Sequence, residues 1–411
     1  MGMLETFRSV VQFREIELDS VQRRLNRAAS VDDLRSIAKR RLPGGVFDYI
    51  DGGAEDERSL GRNVSAFADY EFRPRVLNDV STIDTSTMLL GKPVPLPLAL
   101  SPTGFGRIAN SQGELAVARA AERAGLPYSL STMGTRSIEE VAAVSQGTKW
   151  FQVYTWKDRG LVKEMISRAE RSGYEALLLT VDTAVLGRRE RDVRRGYTLP
   201  PKIGLDTIID GMIHPSWTLD FLRNDPITFA NVSTASGGEG SGGDGSGSAV
   251  NLAQYINSQF DQALSWADVE WLRSIWDGPV VLKGVQTVAD AELAVEHGCE
   301  GIMLSNHGGR QLDDAPAVID LVAPVAQSVG GRIDIICDGG VRRGSDIVKA
   351  VAMGATACSV GRAYLYALGA AGEAGVDHLL NFMADGVTRT MQLCGANSIA
   401  DLTPDLVTLK R

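Results

Sequence analysis

The sequence predicts an α/β protein built on a (β/α)8 TIM barrel, with an N-terminal helical extension and a long insertion after strand 4. Three observations predict it. From about residue 96, short apolar runs rich in β-formers alternate with alanine-rich helical stretches. The runs fall at 97–101, 127–131, 150–154, 176–182, 280–283, 301–305, 333–338 and 357–361, which is the number that closes a barrel. Each run ends on glycine or a polar residue, and in a barrel the strand ends are where chemistry collects. A doubly wound open sheet is the competing architecture. It usually has fewer strands and a glycine-rich dinucleotide turn after the first, which is absent here.

In chain order, Ser30 followed by Asp33 starts a helix that runs to Arg41 and stops at Leu42-Pro43. It belongs to a helical segment, 1–95, that packs on the barrel. The barrel itself is assigned to 96–380, with helices at 113–124, 161–172, 288–297 and 344–353 between its strands. The spacing fails once, in an insertion at 197–262. It carries Met212, Trp217, Phe221, Leu222 and Phe229 among few charges, then a glycine/serine run at 236–248 of flexible-linker composition. Long insertions of this kind are usually binding surfaces, lids or disordered segments. A C-terminal helix and tail occupy 381–411.

With 411 residues, 44% hydrophobic and 23% charged, the chain can bury a sizeable core. A net charge of −9 argues against wrapping a nucleic-acid duplex. Cys299, Cys337, Cys358 and Cys394 are scattered with no C-x-x-C pair, so they read as reduced core residues, and no metal site is expected. The N-terminus is charged rather than apolar, and the stretch 88–105 is broken by Lys92 and prolines. A cytoplasmic protein is expected, with peripheral contact at the inner face of the membrane through 197–262.

The strand ends supply Pro102-Thr103-Gly104, Ser131, Gln152 with Tyr154, Thr180 with Asp182, Lys283, Ser305 with His307 and Arg310, Asp338-Gly339-Gly340, and Gly361-Arg362. Glycines after strands seven and eight let backbone amides approach a phosphate, with Arg342 and Arg362 supplying charge. Read blandly, they are tight turns with solvated arginines. A lone histidine is more often structural than catalytic, but His307 follows a buried strand and precedes two glycines. A general base needs a carboxylate to orient it and stabilise the imidazolium, and Asp182 is the candidate. Arg310 and Arg189 can clamp a substrate carboxylate by paired hydrogen bonds, although Arg189 sits in a charged stretch that reads equally as a solvated face. Lys283 is a solvent-reaching lysine, a Schiff-base amine or a fixed charge beside a cofactor.

Several stretches together carry a resemblance: Phe47-Asp-Tyr-Ile-Asp-Gly-Gly-Ala-Glu-Asp56, Phe151-Gln-Val-Tyr154, Leu178-Leu-Thr-Val-Asp-Thr183, Leu186-Gly-Arg-Arg-Glu190, Val281-Leu-Lys-Gly284, Ser305-Asn-His-Gly-Gly-Arg-Gln-Leu-Asp313 and Asp338-Gly-Gly-Val-Arg-Arg-Gly344. From about residue 30 onward the chain resembles the FMN-dependent L-2-hydroxy acid dehydrogenases and oxidases. The resemblance implies that Pro102, Thr103, Gly104, Ser131, Gln152, Thr180 and Ser305 line the flavin, with Lys283 at its N1 edge. It implies that Asp338, Gly339, Gly340, Val341, Arg342, Gly361 and Arg362 hold the ribityl phosphate. Tyr49, Arg189 and Arg310 would bind the substrate carboxylate and Tyr154 its hydroxyl, while His307, supported by Asp182, removes a proton.

Gly104 stands where peroxide-forming members usually carry alanine, and Met133 where plant members carry tryptophan. The stretches His214-Pro-Ser-Trp217, Ser265-Trp-Ala-Asp-Val-Glu-Trp-Leu-Arg273 and Trp276-Asp-Gly-Pro279 resemble the bacterial membrane-associated, quinone-linked L-lactate dehydrogenases. The expected reaction is therefore L-lactate to pyruvate with electrons passed to quinone, in a homotetramer. An oxygen-using oxidase or monooxygenase, an L-mandelate dehydrogenase and, distantly, a Schiff-base lyase on Lys283 are the alternatives.

Overall fold

A computed structural model describes residues 17–195, 204–233 and 259–410. Eight strands, β1 (Leu98–Leu100), β2 (Tyr128–Ser131), β3 (Lys149–Val153), β4 (Ala176–Thr180), β5 (Val280–Val285), β6 (Gly301–Leu304), β7 (Asp334–Asp338) and β8 (Ala357–Val360), close into one barrel, each parallel to its neighbours. The barrel predicted from the eight apolar runs is the fold observed.

Strand alternation explains what the barrel encloses. Successive residues point to opposite faces, so Leu177, Leu179, Cys337, Cys358 and Val360 pack outward against the helices. Ala99, Trp150, Leu178, Val281, Met303, Ile336 and Ala357 form an apolar layer inside. Two residues further along each of those strands the inward position turns polar: Ser101, Gln152, Thr180, Lys283, Ser305, Asp338 and Ser359. The barrel is thus apolar at its floor and polar at its mouth. A hairpin, Thr87–Leu89 with Lys92–Val94, plugs the floor with Leu89 and Val94. Its turn places Leu90 and Gly91 at φ 48° and 74°, the paired positive angles that suit the twist of a two-residue hairpin.

The segment before residue 96 is therefore not wholly helical, as its sequence suggested. It holds the hairpin and a strand, Tyr70–Phe72, that pairs antiparallel with Val407–Leu409 near the chain's end. The helix Val31–Arg41 starts where expected, with Ser30 Oγ accepting the Asp33 amide at 3.2 Å. The last helix, Arg362–Cys394, runs through the boundary drawn at 380, and its break comes earlier, at Ala371 and Gly372. Gly372, at φ 64°, takes the left-handed conformation that costs glycine least.

Between β4 and β5 the insertion contributes the helices Leu205–Ile213 and Pro215–Arg223, seated on the barrel by polar contacts. Trp217 Nε1 donates to the Ile108 carbonyl at 2.7 Å, and Asp220 accepts from the Ser111 amide (2.9 Å) and hydroxyl (2.7 Å). The buried Arg107 donates to the carbonyls of Asp225 and Pro226. Meanwhile Ile208, Ile209, Met212, Ile213, Leu219 and Leu222 stay exposed. The glycine/serine run at 236–248 lies outside the described residues. Among the described residues no helix is long and apolar enough to cross a membrane.

Candidate active site

All eight strands contribute to one hydrogen-bonded surface at the mouth. Asp338 accepts from Ser101 Oγ (2.6 Å), Ser359 Oγ (2.7 Å) and Ser305 Oγ (2.8 Å), and pairs with Lys283 Nζ at 3.2 Å. On the other side, Ser131 Oγ donates to Gln152 Oε1 and Gln152 Nε2 donates to Thr180 Oγ1, each at 2.8 Å. Thr103 Oγ1 lies 2.6 Å from the Tyr364 hydroxyl, which donates to the Ser101 carbonyl at 2.7 Å. Burial pulls the Lys283 ammonium pKa down, but the Asp338 and Asp182 carboxylates outweigh it and raise it. Burial likewise pushes Asp338 up, and Lys283 with the three serine hydroxyls holds it below its ordinary value. Both groups remain charged. An ammonium held in this way suits a fixed charge beside a cofactor better than a Schiff-base amine.

His307 follows β6 in the left-handed region, at φ 56°, and Gly308 and Gly309 continue the turn. That turn carries the imidazole to Asp182 beyond β4, with Nδ1 2.9 Å from Asp182 Oδ1. Since Nδ1 is engaged, Nε2 is the nitrogen left to the cleft. Burial favours the neutral ring and, together with the positive charges of Lys283 and Arg310, lowers its pKa against the pull of Asp182. Burial would raise Asp182, but the charge and hydrogen bond of His307 outweigh it, so the carboxylate stays ionised.

Across the cleft, Arg310 Nη1 donates to the carbonyls of Tyr49 (2.7 Å) and Gly52 (3.0 Å). The guanidinium groups of Arg310 and Arg189 lie 5.1 and 5.4 Å from the Tyr49 ring centroid. Burial, then the like charge of Arg189, pushes Arg310 down to about 9. Cations crowded into a buried place form a site that an anion stabilises. Tyr154 is half-buried there, near Asp182, Tyr49, Arg310 and Arg189, and desolvation holds its hydroxyl in the neutral form.

The cleft, counted together with open solvent at its mouth, spans about 1330 Å³. Pro102, Thr103, Gly104, Ser131, Lys283, Tyr49, Tyr154, Arg189, His307 and Arg310 line it together with Asp338, Gly339, Gly340, Val341, Arg342, Gly361 and Arg362. Four residues expected at the site stand one row back. Asp182, Gln152 and Ser305 are bonded to lining side chains, and Thr180 is bonded to Gln152. The two arginines expected beside a phosphate are engaged with backbone. Arg362 donates to the carbonyls of Ile50, Gly308 and Gly52, and Arg342 Nη1 to the Val341 carbonyl. The amides of Arg342 and Arg343 are spent on the Asp346 carboxylate, both at 2.9 Å.

Sequence reasoning missed several supports. Asn63 and Asn306 exchange amide hydrogen bonds at 2.7 and 2.9 Å and tie the His307 loop to the N-terminal segment. Arg191 binds Asp51 and Glu57, fixing the Arg189 segment to the helix that carries Tyr49. Asn306 lies inside the Ser305–Asp313 motif. Its partner lies 243 residues away, beyond any local pattern.

A family model described as FMN-dependent dehydrogenase matches residues 38–409. The chain belongs to this family. A Mycobacterium tuberculosis protein provisionally named L-lactate dehydrogenase is 45% identical over 403 residues, covering 98% of this chain and 94% of the relative. Glycolate oxidase 1 of Oryza sativa subsp. indica is 43% identical over 91% of this chain and 94% of its own. Among solved structures, the monotopic membrane protein (S)-mandelate dehydrogenase is similar at TM-score 0.87 and 37% identity, over 93% of this chain and all of its own.

The FMN-dependent oxidoreductase has a mouth that suits its cofactor. The buried Lys283 cation stands beside a rim of hydroxyls, where negative charge on a reduced flavin would be stabilised. Gly340, at φ 78°, comes so close to the N-terminal segment that a Cβ there would fall 1.8 Å from the Asn63 carbonyl oxygen. Only glycine leaves the β7 loop its path along the cleft.

Proposed function

We propose that this enzyme oxidises L-lactate to pyruvate and passes the electrons to a membrane quinone. The observation that carries the reading is that His307, backed by Asp182, and the Arg310–Arg189 pair line one cleft. A 2-hydroxy acid needs these two functions, a base for the proton and a clamp for the carboxylate. Lactate is favoured by relatives 41–45% identical that carry the L-lactate dehydrogenase name.

FMN, when bound, supplies the two-electron acceptor. Pro102, Thr103, Gly104 and Ser131 would line the ring and Lys283 would face it as a fixed cation, with Gln152, Thr180 and Ser305 supporting from behind. The loops with Asp338, Gly339, Gly340, Val341, Arg342, Gly361 and Arg362 would hold the ribityl phosphate. Arg310 and Arg189 receive the substrate carboxylate in paired hydrogen bonds, and Tyr49 flanks them. Tyr154, kept protonated by desolvation, donates to the substrate oxygen. His307 takes one proton on Nε2, and Asp182 stabilises the resulting imidazolium.

The quinone reading rests on the exposed apolar side chains of the insertion helices, which suit a lipid surface at the inner face of the membrane. A homotetramer is part of the same reading, with the exposed Val76, Leu77 and Leu393 as a face for sister chains. Lactate-reduced enzyme mixed with a soluble quinone analogue should reoxidise much faster than in air. Faster reoxidation in air, with stoichiometric peroxide, would replace this reading with an oxidase.

A pH profile tests the base. The neutral imidazole is the active form and its pKa lies below the ordinary 6.5, so kcat/KM should hold through neutrality, with its acid limb below that value. Asp182→Asn removes the charge that favours the imidazolium. The acid limb should then move to lower pH while the plateau drops about 10²–10⁴-fold. An unmoved limb with an undiminished plateau would contradict the pairing.

A further inference from the structure

After the insertion the chain returns to the barrel at 259–261, against the loop that follows β3. It is clamped there. The amides of Lys157 and Asp158 donate to the Gln259 carbonyl (2.9 Å) and Oε1 (3.1 Å), and Trp156 and Phe260 form an antiparallel bridge. Arg159 adds ion pairs to Asp261 (3.0 Å) and to Asp268, and its guanidinium lies 5.4 Å from the Trp271 ring centroid. The helix Trp266–Arg273 thereby braces the return from behind.

The clamp fixes one side chain in the cleft. The half-buried Phe260 ring stands 5.3 Å from the Tyr154 ring at 69°, an edge-to-face contact, and lines the same cavity as His307 and Arg310. C2 of a 2-hydroxy acid carries a carboxylate, a hydroxyl, a hydrogen and a substituent. Arg310, Arg189 and Tyr49 suit the first, and Tyr154 with His307 the second. The substituent is left with the apolar lining, which includes Phe260, Leu186, Met133 and Phe105. Of these, Phe260 comes from the return limb of the insertion, and its ring packs edge-on against Tyr154.

We infer that Phe260 is a specificity-determining residue that limits the 2-substituent to a short aliphatic group and excludes an aryl ring. This rests on the reading of the site as one for a 2-hydroxy acid with its carboxylate at Arg310. The insertion then does more than extend the surface, because its return limb walls the substrate pocket.

The test compares kcat/KM for L-lactate and L-mandelate in flavin-loaded wild type, Phe260→Ala and Phe260→Leu, with the visible flavin spectrum as the check on folding. The mandelate-to-lactate ratio should rise at least about tenfold in Phe260→Ala, the lower end of what pocket size is worth, and less in Phe260→Leu. Most of the change should fall on KM. Arg159→Gln, which keeps the ring but slackens its mount, should move the ratio in the same direction by a smaller factor. Should Phe260→Ala lose flavin, Phe260→Leu decides. A ratio that stays fixed in a flavin-loaded variant, or both substrates falling by one factor, overturns the inference alone. A wild-type holoenzyme that turns over neither acid overturns the parent reading and this inference with it.

Discussion

His307→Gln should lower kcat by about 10²–10⁴-fold, the contribution of a positioned general base, while the protein remains yellow. Glutamine fills similar space, so the turn through Gly308 and Gly309 can persist. Its amide cannot take a proton. The bound flavin should be unaffected, because the residues proposed to contact it, from Pro102 to Arg362, lie on other strand ends, and Ser305, which supports from behind, is left in place. Stopped-flow reduction should therefore show a full flavin spectrum that bleaches slowly or not at all. Wild-type rates of bleaching in this variant would remove His307 from the mechanism.

Arg310→Met should act on binding. Methionine preserves much of the volume but removes the charge, and breaking a buried charge pair costs about 2–5 kcal/mol. That corresponds to roughly a 30- to 4000-fold loss in kcat/KM, carried largely by KM. Arg310 also donates to the carbonyls of Tyr49 and Gly52, so part of the loss comes from a loosened Tyr49. Arg310→Lys keeps the charge without the fork and should fall between the two. A small effect on KM would place the carboxylate elsewhere in the cleft.

The barrel was legible because period-2 alternation and strand number are local signals. Each run of apolar residues ended in the group that the structure turns into the mouth. The proximity of His307 and Asp182 was legible only as two polar groups at strand ends; the structure places them just beyond β4 and β6, with β5 alone between those strands. What sequence did not reveal depends on partners distant in the chain. The three serines on Asp338 come from β1, β6 and β8, and no spacing rule shows that they saturate one carboxylate. Arg362, proposed as a phosphate ligand by its place after β8, also braces the fold. Its bonds to Ile50 and Gly52 follow from how the N-terminal helix packs. Phe260 lies beyond a glycine-rich run that carries no register, so only the bridge to Trp156 reveals where it stands.

The most direct test of the account is the visible spectrum of the purified, FMN-loaded protein, recorded without oxygen before and after adding L-lactate. The account predicts a yellow flavin spectrum that bleaches within the time of mixing and returns when a quinone analogue is added. A protein that takes up no FMN, or one that stays yellow with L-lactate and with other L-2-hydroxy acids alike, would contradict it.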